Sequence, residues 1–168
     1  MYKIITKVIA ERLKPWLNNL ISEEQGGFVT GQQILDGVII AAEAMHSMAA
    51  SKEKAMFIKL DMAKAYDRVR WSFLQKILQA FDLFGAARGL RQGDPLSPYL
   101  FILMAEGLGR LIKSQVSQGG IQGWKWGHDI PPSSHLQFVD DTSLMGAARI
   151  QEAASFRRDL DIYVKASG

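Results

Sequence analysis

The sequence has no cysteine and no long apolar run, and each absence excludes a class of protein. Without cysteine, the 168-residue chain cannot form a disulfide or a thiolate zinc site. The longest apolar run, around Pro98–Ala105, is too short to span a bilayer. Charges at Lys3, Lys7, Glu11 and Arg12 interrupt the N-terminal apolar stretch, which therefore lacks the core of a secretory signal. We expect a soluble intracellular protein, in the nucleus or cytoplasm and not secreted, with no membrane contact.

What the sequence does have is enough apolar material for a folded core. Hydrophobic residues make up 48% of the chain, which argues against disorder. The length suits one domain or most of one. A formal net charge of +3 is compatible with a nucleic-acid partner but does not indicate one by itself.

Five segments have the apolar spacing or the capping signals of helices. They run from about Ile4 to Leu17, Gln33 to Met48, Ser72 to Asp82, Ser97 to Ile112, and Ala153 to Gly168. We expect Ser72 and Ser97 to be N-caps, and Pro15 to kink or restart the first helix. Ala55–Leu60 is short and mostly apolar, which predicts a buried strand that ends on Asp61.

Two glycine-rich loops separate these elements. Gln25–Gly31 has no helical or strand period and does not match a phosphate-binding loop, so we interpret it as a flexible connector. Arg88–Pro98 is different because glycines flank Arg91 and Gln92. This loop therefore places a cation and an amide on a backbone that a ligand can approach closely.

The stretch from His135 to Met145 predicts a β-hairpin with Asp140 and Asp141 at its turn. Two adjacent carboxylates repel each other, and a cation between them would relieve that repulsion. Aspartate also favours turns because its side chain can bond its own backbone. Taken alone, the segment fits either a solvated turn or a metal site.

The position of Asp61 relative to the hairpin would favour one of these two interpretations. A carboxylate at the end of a strand is either an ordinary surface residue or part of a site. If the strand and the hairpin share a sheet, Asp61, Asp140 and Asp141 converge at one edge. We predict that such a cluster of carboxylates would bind two Mg²⁺ ions roughly 4 Å apart.

Three motifs in this order resemble the A, B and C motifs of reverse transcriptases from LINE-type (non-LTR) retrotransposons, especially those of plants. They are Asp61–Asp67, Arg88–Pro98 and Phe138–Asp141. Gln25–Gly31 and Ile34–Asp36 resemble the fingers motifs that precede them. The resemblance implies an α+β fold from a right-hand polymerase. Residues 1–54 would be partial, mostly helical fingers, and residues 55–168 a palm with a small antiparallel sheet backed by helices.

The resemblance also implies an RNA-directed DNA polymerase that joins a dNTP to a primer 3′-hydroxyl with Mg²⁺, or alternatively Mn²⁺, as cofactor. Its implied catalytic and metal-binding residues are Asp61, Asp140 and Asp141, and its implied substrate-binding residues are Tyr66, Arg91, Gln92 and Gly93. Tyr66 takes the position of the steric gate that excludes a ribose 2′-hydroxyl. The expected partners are an RNA template, a DNA primer and a dNTP, with no defined protein partner.

The sequence departs from the family pattern in ways that bear on activity. Gln32 replaces the usual arginine, and the longer stretch normally found between Gly85 and Ala86 is missing. We expect neither a thumb nor an endonuclease or RNase H segment. Three interpretations stay open: an active reverse transcriptase, a catalytically inactive remnant with at most weak nucleic-acid binding, and a relative of group II intron maturases.

Overall fold

The structure is a computed structural model that describes residues 2–28, 31, 34–62, 69–81, 95–126 and 131–168. Its elements, in chain order, are α1 (Tyr2–Leu20), α2 (Ile34–Ala50), β1 (Ala55–Asp61), α3 (Trp71–Ala80), α4 (Ser97–Ser117), β2 (His135–Phe138), β3 (Asp141–Ala147) and α5 (Ile150–Ser167). Helices packed around a small antiparallel sheet make an α+β fold, as the sequence predicted. No helix in the described part of the chain is long and apolar enough to cross a membrane.

The sheet has the strand order β1-β3-β2, and both pairings are antiparallel. Because neighbouring residues of a strand point to opposite faces, Leu144 and Met145 of β3 enter different cores. Leu144 packs with residues of α4 and α5, including Leu108 and Phe156. Met145 packs with Ala44 of α2 and with Trp124. The sheet is therefore covered on both faces, and Trp124 packs against one of them.

Helix α4 lies at the centre of the fold. Of the apolar residues that the sequence predicted to face inward, Leu100, Leu103, Met104, Leu108 and Ile112 are buried, and Leu111 is partly buried. Each such side chain contributes roughly 1.5–3 kcal/mol when it leaves water. The residue before the helix is Leu96, and Ser97 is already its first residue, so the predicted cap position was wrong by one.

The predicted cap of α3 was also wrong. Helix α3 begins at Trp71, and its N-cap is Arg70. The amides of Phe73 and Leu74 donate to the Arg70 carbonyl at 3.1 Å each, so helical bonding starts before Ser72. The Arg70 amide donates to the Ser167 carbonyl at 2.7 Å. This tertiary contact fixes where α3 starts, whereas the sequence signal for a Ser72 cap does not.

Helix α1 continues through Pro15 to Leu20, so the predicted restart does not occur. Its buried residues are Thr6, Ala10 and Leu17, whereas four aliphatic residues of the predicted apolar stripe are exposed. They are Ile4, Ile5, Val8 and Ile9. Helical spacing defined an apolar stripe, but only the side of α1 that meets α4 is covered within the described residues.

His135 is a buried titratable group at the start of β2. Its Nδ1 lies 3.1 Å from the Ser134 hydroxyl, and its Nε2 has no hydrogen-bond partner among the described residues. A Cβ on Gly109 of α4 would lie only 3.1 Å from that Nε2, so glycine there makes room for the ring. Burial lowers the pKa of His135 to about 4; the Glu24 carboxylate opposes this shift and the Lys113 ammonium adds to it.

We predict that His135 makes the fold acid-sensitive. Between pH 6.5 and 4 the unfolded chain binds a proton that the folded His135 does not. The free energy of unfolding should therefore fall as the pH falls, by about 2 kcal/mol between pH 7 and pH 5. Urea unfolding of wild type and His135→Gln at the two pH values measures this term.

Glu24 contributes to the same acid loss. Burial opposes ionisation of its carboxyl, but the Lys113 ammonium 2.7 Å away outweighs burial and lowers the folded pKa, so Glu24 also loses stability in acid. Because His135 adds to that lowering, the difference between wild type and His135→Gln measures the histidine together with its interaction with Glu24. Equal acid losses in the two proteins would contradict the prediction.

Candidate functional site

The end of the sheet brings two of the predicted carboxylates face to face. Strands β1 and β3 pair in register from Ala55 opposite Ala147 to Asp61 opposite Asp141. Directly opposed residues of an antiparallel pair point to the same face of the sheet. Asp61 and Asp141 therefore share one face at one end, as the sequence predicted if the strand neighboured the hairpin.

Asp140 lies in the two-residue turn that joins β2 to β3. Phe138 and Asp141 are Cα partners, which leaves Val139 and Asp140 as the turn residues. The predicted hairpin is confirmed, except that Asp141 is the first residue of β3 and not part of the turn itself. All three predicted carboxylates thus belong to the same end of the sheet.

Along this face the side chains change from apolar to charged. Phe57 opposite Met145 belongs to the apolar cluster beneath α2. Lys59 lies opposite Ser143, and the pair of Asp61 with Asp141 follows at the end of β1. Because alternate strand residues share a face, the core of this layer leads directly to the carboxylates. The carboxylates are therefore attached to a paired sheet, which holds them more rigidly than a solvated loop would.

The two opposed carboxylates have one basic neighbour among the described residues' ion pairs. The Lys59 Nζ lies 3.3 Å from Asp141 Oδ1, with side chains 64% and 47% exposed. An ion pair this exposed contributes little to stability, about 0–1 kcal/mol. Like charges directly opposite each other on a sheet are destabilising. The pairing of Asp61 with Asp141 is therefore a local cost that Lys59 offsets only in part.

The donor chemistry of this end suits a divalent ion, but the ligand arrangement is incomplete. Carboxylate oxygens are the ligands that Mg²⁺ takes in proteins. Within the described ranges, no three acidic or histidine side chains are arranged to hold a metal ion. The expected cluster of three carboxylates close enough to share ions is thus not formed by Asp61, Asp140 and Asp141, although the backbone brings them to one edge.

The glycine-rich segment predicted to be a connector instead lies against β2. Gln25 forms a parallel bridge with Gln137, and its side chain is fully buried. The segment thereby extends the hairpin's free edge just before the turn. Sequence reasoning missed this contact because the partner is more than 100 residues away in the chain. The only local signal was a glutamine followed by two glycines.

An apolar cavity of about 370 Å³ borders the end of β1, and Asp61 is one of its lining residues. Leu60, Phe101, Met104 and Tyr163 also line it. The Tyr163 hydroxyl donates to the Met104 carbonyl at 3.2 Å, and burial raises the pKa of that tyrosine. Apart from Asp61, these residues offer little to a charged phosphate.

Four predicted substrate-binding residues lie outside the described part of the chain. They are Tyr66, Arg91, Gln92 and Gly93. The structure therefore places the predicted metal-binding residues and leaves the substrate-binding predictions as they stood.

The fold and the carboxylate end define an α+β protein with an acidic hairpin at the edge of a small sheet. The family model that matches this chain describes a reverse transcriptase (RNA-dependent DNA polymerase), and the match covers residues 1–166. The chain therefore belongs to the reverse transcriptase (RNA-dependent DNA polymerase) family. The prediction from the three motifs is confirmed at this level.

Two curated relatives match parts of this chain. An uncharacterised mitochondrial protein of Arabidopsis thaliana is 53% identical over 57 residues, which are 34% of this chain and 47% of that protein. The uncharacterised 149 kDa protein of transposon TX1 from Xenopus laevis is 29% identical over 69% of this chain and 11% of its own length. The matched region is therefore less than half of either relative.

We predict that the opposed carboxylates lower stability when no divalent ion is present. Asp61→Asn removes one of the two facing charges, and it should raise the free energy of unfolding by about 0.5 kcal/mol. Thermal unfolding with a chelator measures the change. Glu43→Gln, which removes one charge from an exposed position of α2, is the matched control. An Asp61→Asn variant no more stable than wild type would show that the two charges do not repel appreciably.

Proposed function

We propose that this chain is the fingers-and-palm portion of an RNA-directed DNA polymerase from a non-LTR retroelement. Residues 1–54 would be partial fingers, and residues 55–168 a palm with motifs A, B and C that is internally shortened near 85–86. The observation that supports this most is the register of β1 on β3, which aligns Asp61 of motif A with Asp141 of motif C. The transposon relative supports a retroelement origin over an intron maturase.

The reaction proposed is attack of a primer 3′-hydroxyl on the α-phosphorus of a dNTP, with release of pyrophosphate. Asp61, Asp140 and Asp141 would hold Mg²⁺, or Mn²⁺ in its place. When bound, the ions neutralise the phosphates and lower the pKa of the attacking hydroxyl. The chain's own contribution is to hold the three carboxylates on a paired, two-sided sheet. That support matters because a displacement of about 1 Å can cost two orders of magnitude in rate.

The remaining roles rest on the family motifs. Tyr66 would place its ring against the sugar of the incoming nucleotide and exclude a 2′-hydroxyl by shape. Arg91, Gln92 and Gly93 would contact the RNA template and the incoming dNTP. A cation and an amide between glycines suit this task because the backbone can come close to the strand.

A second candidate, a catalytically inactive remnant, is favoured by a specific observation. The described carboxylates do not form a three-residue metal cluster, and the Lys59 ammonium occupies the Asp141 carboxylate. A lysine in contact with a ligand oxygen competes with a divalent ion for it. The polymerase ancestry and the loss of activity are compatible, and we propose both for this chain as it stands.

Primer extension tests the proposal. We expect the purified chain to extend a DNA primer on an RNA template in Mg²⁺ no faster than its Asp140→Asn, Asp141→Asn double variant. The reason is that metal ligands supply only part of the rate, and holding primer, template and dNTP in line supplies much of the rest. Extension above that of the double variant would contradict the inactive remnant and establish this chain as a working polymerase.

A further inference from the structure

The side chain of Gln25 contacts the backbone of the turn that contains Asp140. The Gln25 carboxamide oxygen accepts a hydrogen bond from the Val139 amide at 3.1 Å and another from the Gly27 amide at 3.1 Å. Val139 is the turn residue immediately before Asp140. Gln25 has no exposed surface, so water does not compete for these bonds.

The backbone on either side of Gln25 fixes this contact. The Gln137 amide donates to the Glu24 carbonyl at 2.7 Å, and the Gly26 amide donates to the Gln137 carbonyl at 2.8 Å. This pair of bonds sets the register of the glycine-rich segment against β2. The Gln25 side chain is thereby directed along the strand toward the turn, and it has little freedom to lie elsewhere.

Gly27 completes the contact by its lack of a side chain. A Cβ there would lie 2.7 Å from the Val139 Cγ2 and 2.9 Å from the Val139 backbone nitrogen. These distances are shorter than van der Waals contact, and one of the atoms belongs to the backbone. Any residue larger than glycine would therefore displace the turn itself.

The backbone of Val139 is in a conformation that needs such support. Its φ is 55°, in the left-handed region that β-branched residues rarely adopt. Strained residues of this kind persist only where surrounding contacts determine them, and they are concentrated at functional sites. Among the described residues, Gln25 and Gly27 contact Val139 closely.

We propose that Gln25 is a positioning residue for Asp140, an inference that rests on the proposed metal-binding function of the carboxylates. Its carboxamide oxygen holds the Val139 amide and keeps the turn left-handed at the residue before Asp140. The direction of the Asp140 carboxylate follows from that backbone conformation. Losing the acceptor would leave a buried amide unpaired and allow the turn to relax, which re-aims the carboxylate.

The structure also indicates which part of Gln25 carries this role. Its Nε2 has no hydrogen-bond partner in the described part of the chain, whereas Oε1 has two donors. Gln25→Glu keeps an acceptor at the same place, and an ionised carboxylate is a strong acceptor for two amides. Gln25→Met has a similar shape and no such acceptor. The two variants therefore separate the hydrogen bond from the packing.

The experiment measures Mn²⁺ binding to the whole chain by electron paramagnetic resonance of the free ion. Asp140→Asn identifies the share of binding that depends on the turn carboxylate. Ile121→Val controls for a general loss of stability, because Ile121 is a buried core residue just after α4. If Gln25→Met unfolds at a lower temperature than Ile121→Val, the more destabilising Ile121→Ala replaces it as the control. NMR shifts and couplings of Val139 report the turn conformation in each protein.

We expect Gln25→Met to weaken the Asp140-dependent Mn²⁺ binding by about tenfold or more, as losses of groups that orient metal ligands do. The stability-matched Ile121 variant should keep the wild-type affinity, and Gln25→Glu should restore it to within about threefold. The Val139 signals should leave their left-handed values only in Gln25→Met. Unchanged affinity in Gln25→Met, or an equal loss in the Ile121 variant, would overturn the proposal.

Failure of the proposed function gives a different result. Wild-type Mn²⁺ binding that is absent, or that does not depend on Asp140, would show that the carboxylates are not a metal site. The positioning role is then decided by Val139 alone. If Val139 stays left-handed in Gln25→Met, the role of Gln25 is overturned. If Val139 loses the left-handed conformation in that variant alone, the role is supported.

Discussion

The antiparallel register of β1 on β3 is the constraint on which the rest of the site depends. It places Asp61 opposite Asp141 because the strands also align Phe57 with Met145 in the apolar layer under α2. A slip of one residue would move every side chain to the other face. Burial of the apolar pairs therefore determines where the carboxylates lie, and the energy that fixes the site comes from the core and not from the charged residues.

The end of the sheet carries local costs that the surrounding fold offsets. Two like charges face each other, and the neighbouring turn contains a valine at positive φ. Each would be disfavoured in a protein selected for stability alone. Both lie in segments that carry the family motifs, and the buried Gln25 and the two cores of the sheet supply the compensating contacts.

Much of this organisation could be predicted from sequence because it depends on local patterns. The apolar run into Asp61 predicted β1, and alternating residues into the adjacent aspartates predicted the hairpin. The apolar spacing of α4 also identified its buried side correctly. Family motifs then linked strand and hairpin, which periodicity alone could not do.

What could not be predicted depends on contacts between distant parts of the chain. The exposed aliphatic residues of α1 follow a regular helical pattern, and only the position of α4 determines which side of α1 is covered. The start of α3 follows from the contact of Arg70 with the end of α5. Gln25 looked like part of a flexible loop because its acceptor role requires Val139 to be in place. The roles of Tyr66, Arg91, Gln92 and Gly93 stay predictions from the motifs.

The proposed divalent-ion site at this end of the sheet can be tested with a crystal structure of the chain soaked in Mn²⁺ and with anomalous diffraction data. We predict an anomalous peak within coordination distance of Asp61 and the carboxylates of the turn, with the Lys59 ammonium displaced from Asp141. Ordered carboxylates with no peak between them, and Lys59 still in contact with Asp141, would contradict the claim.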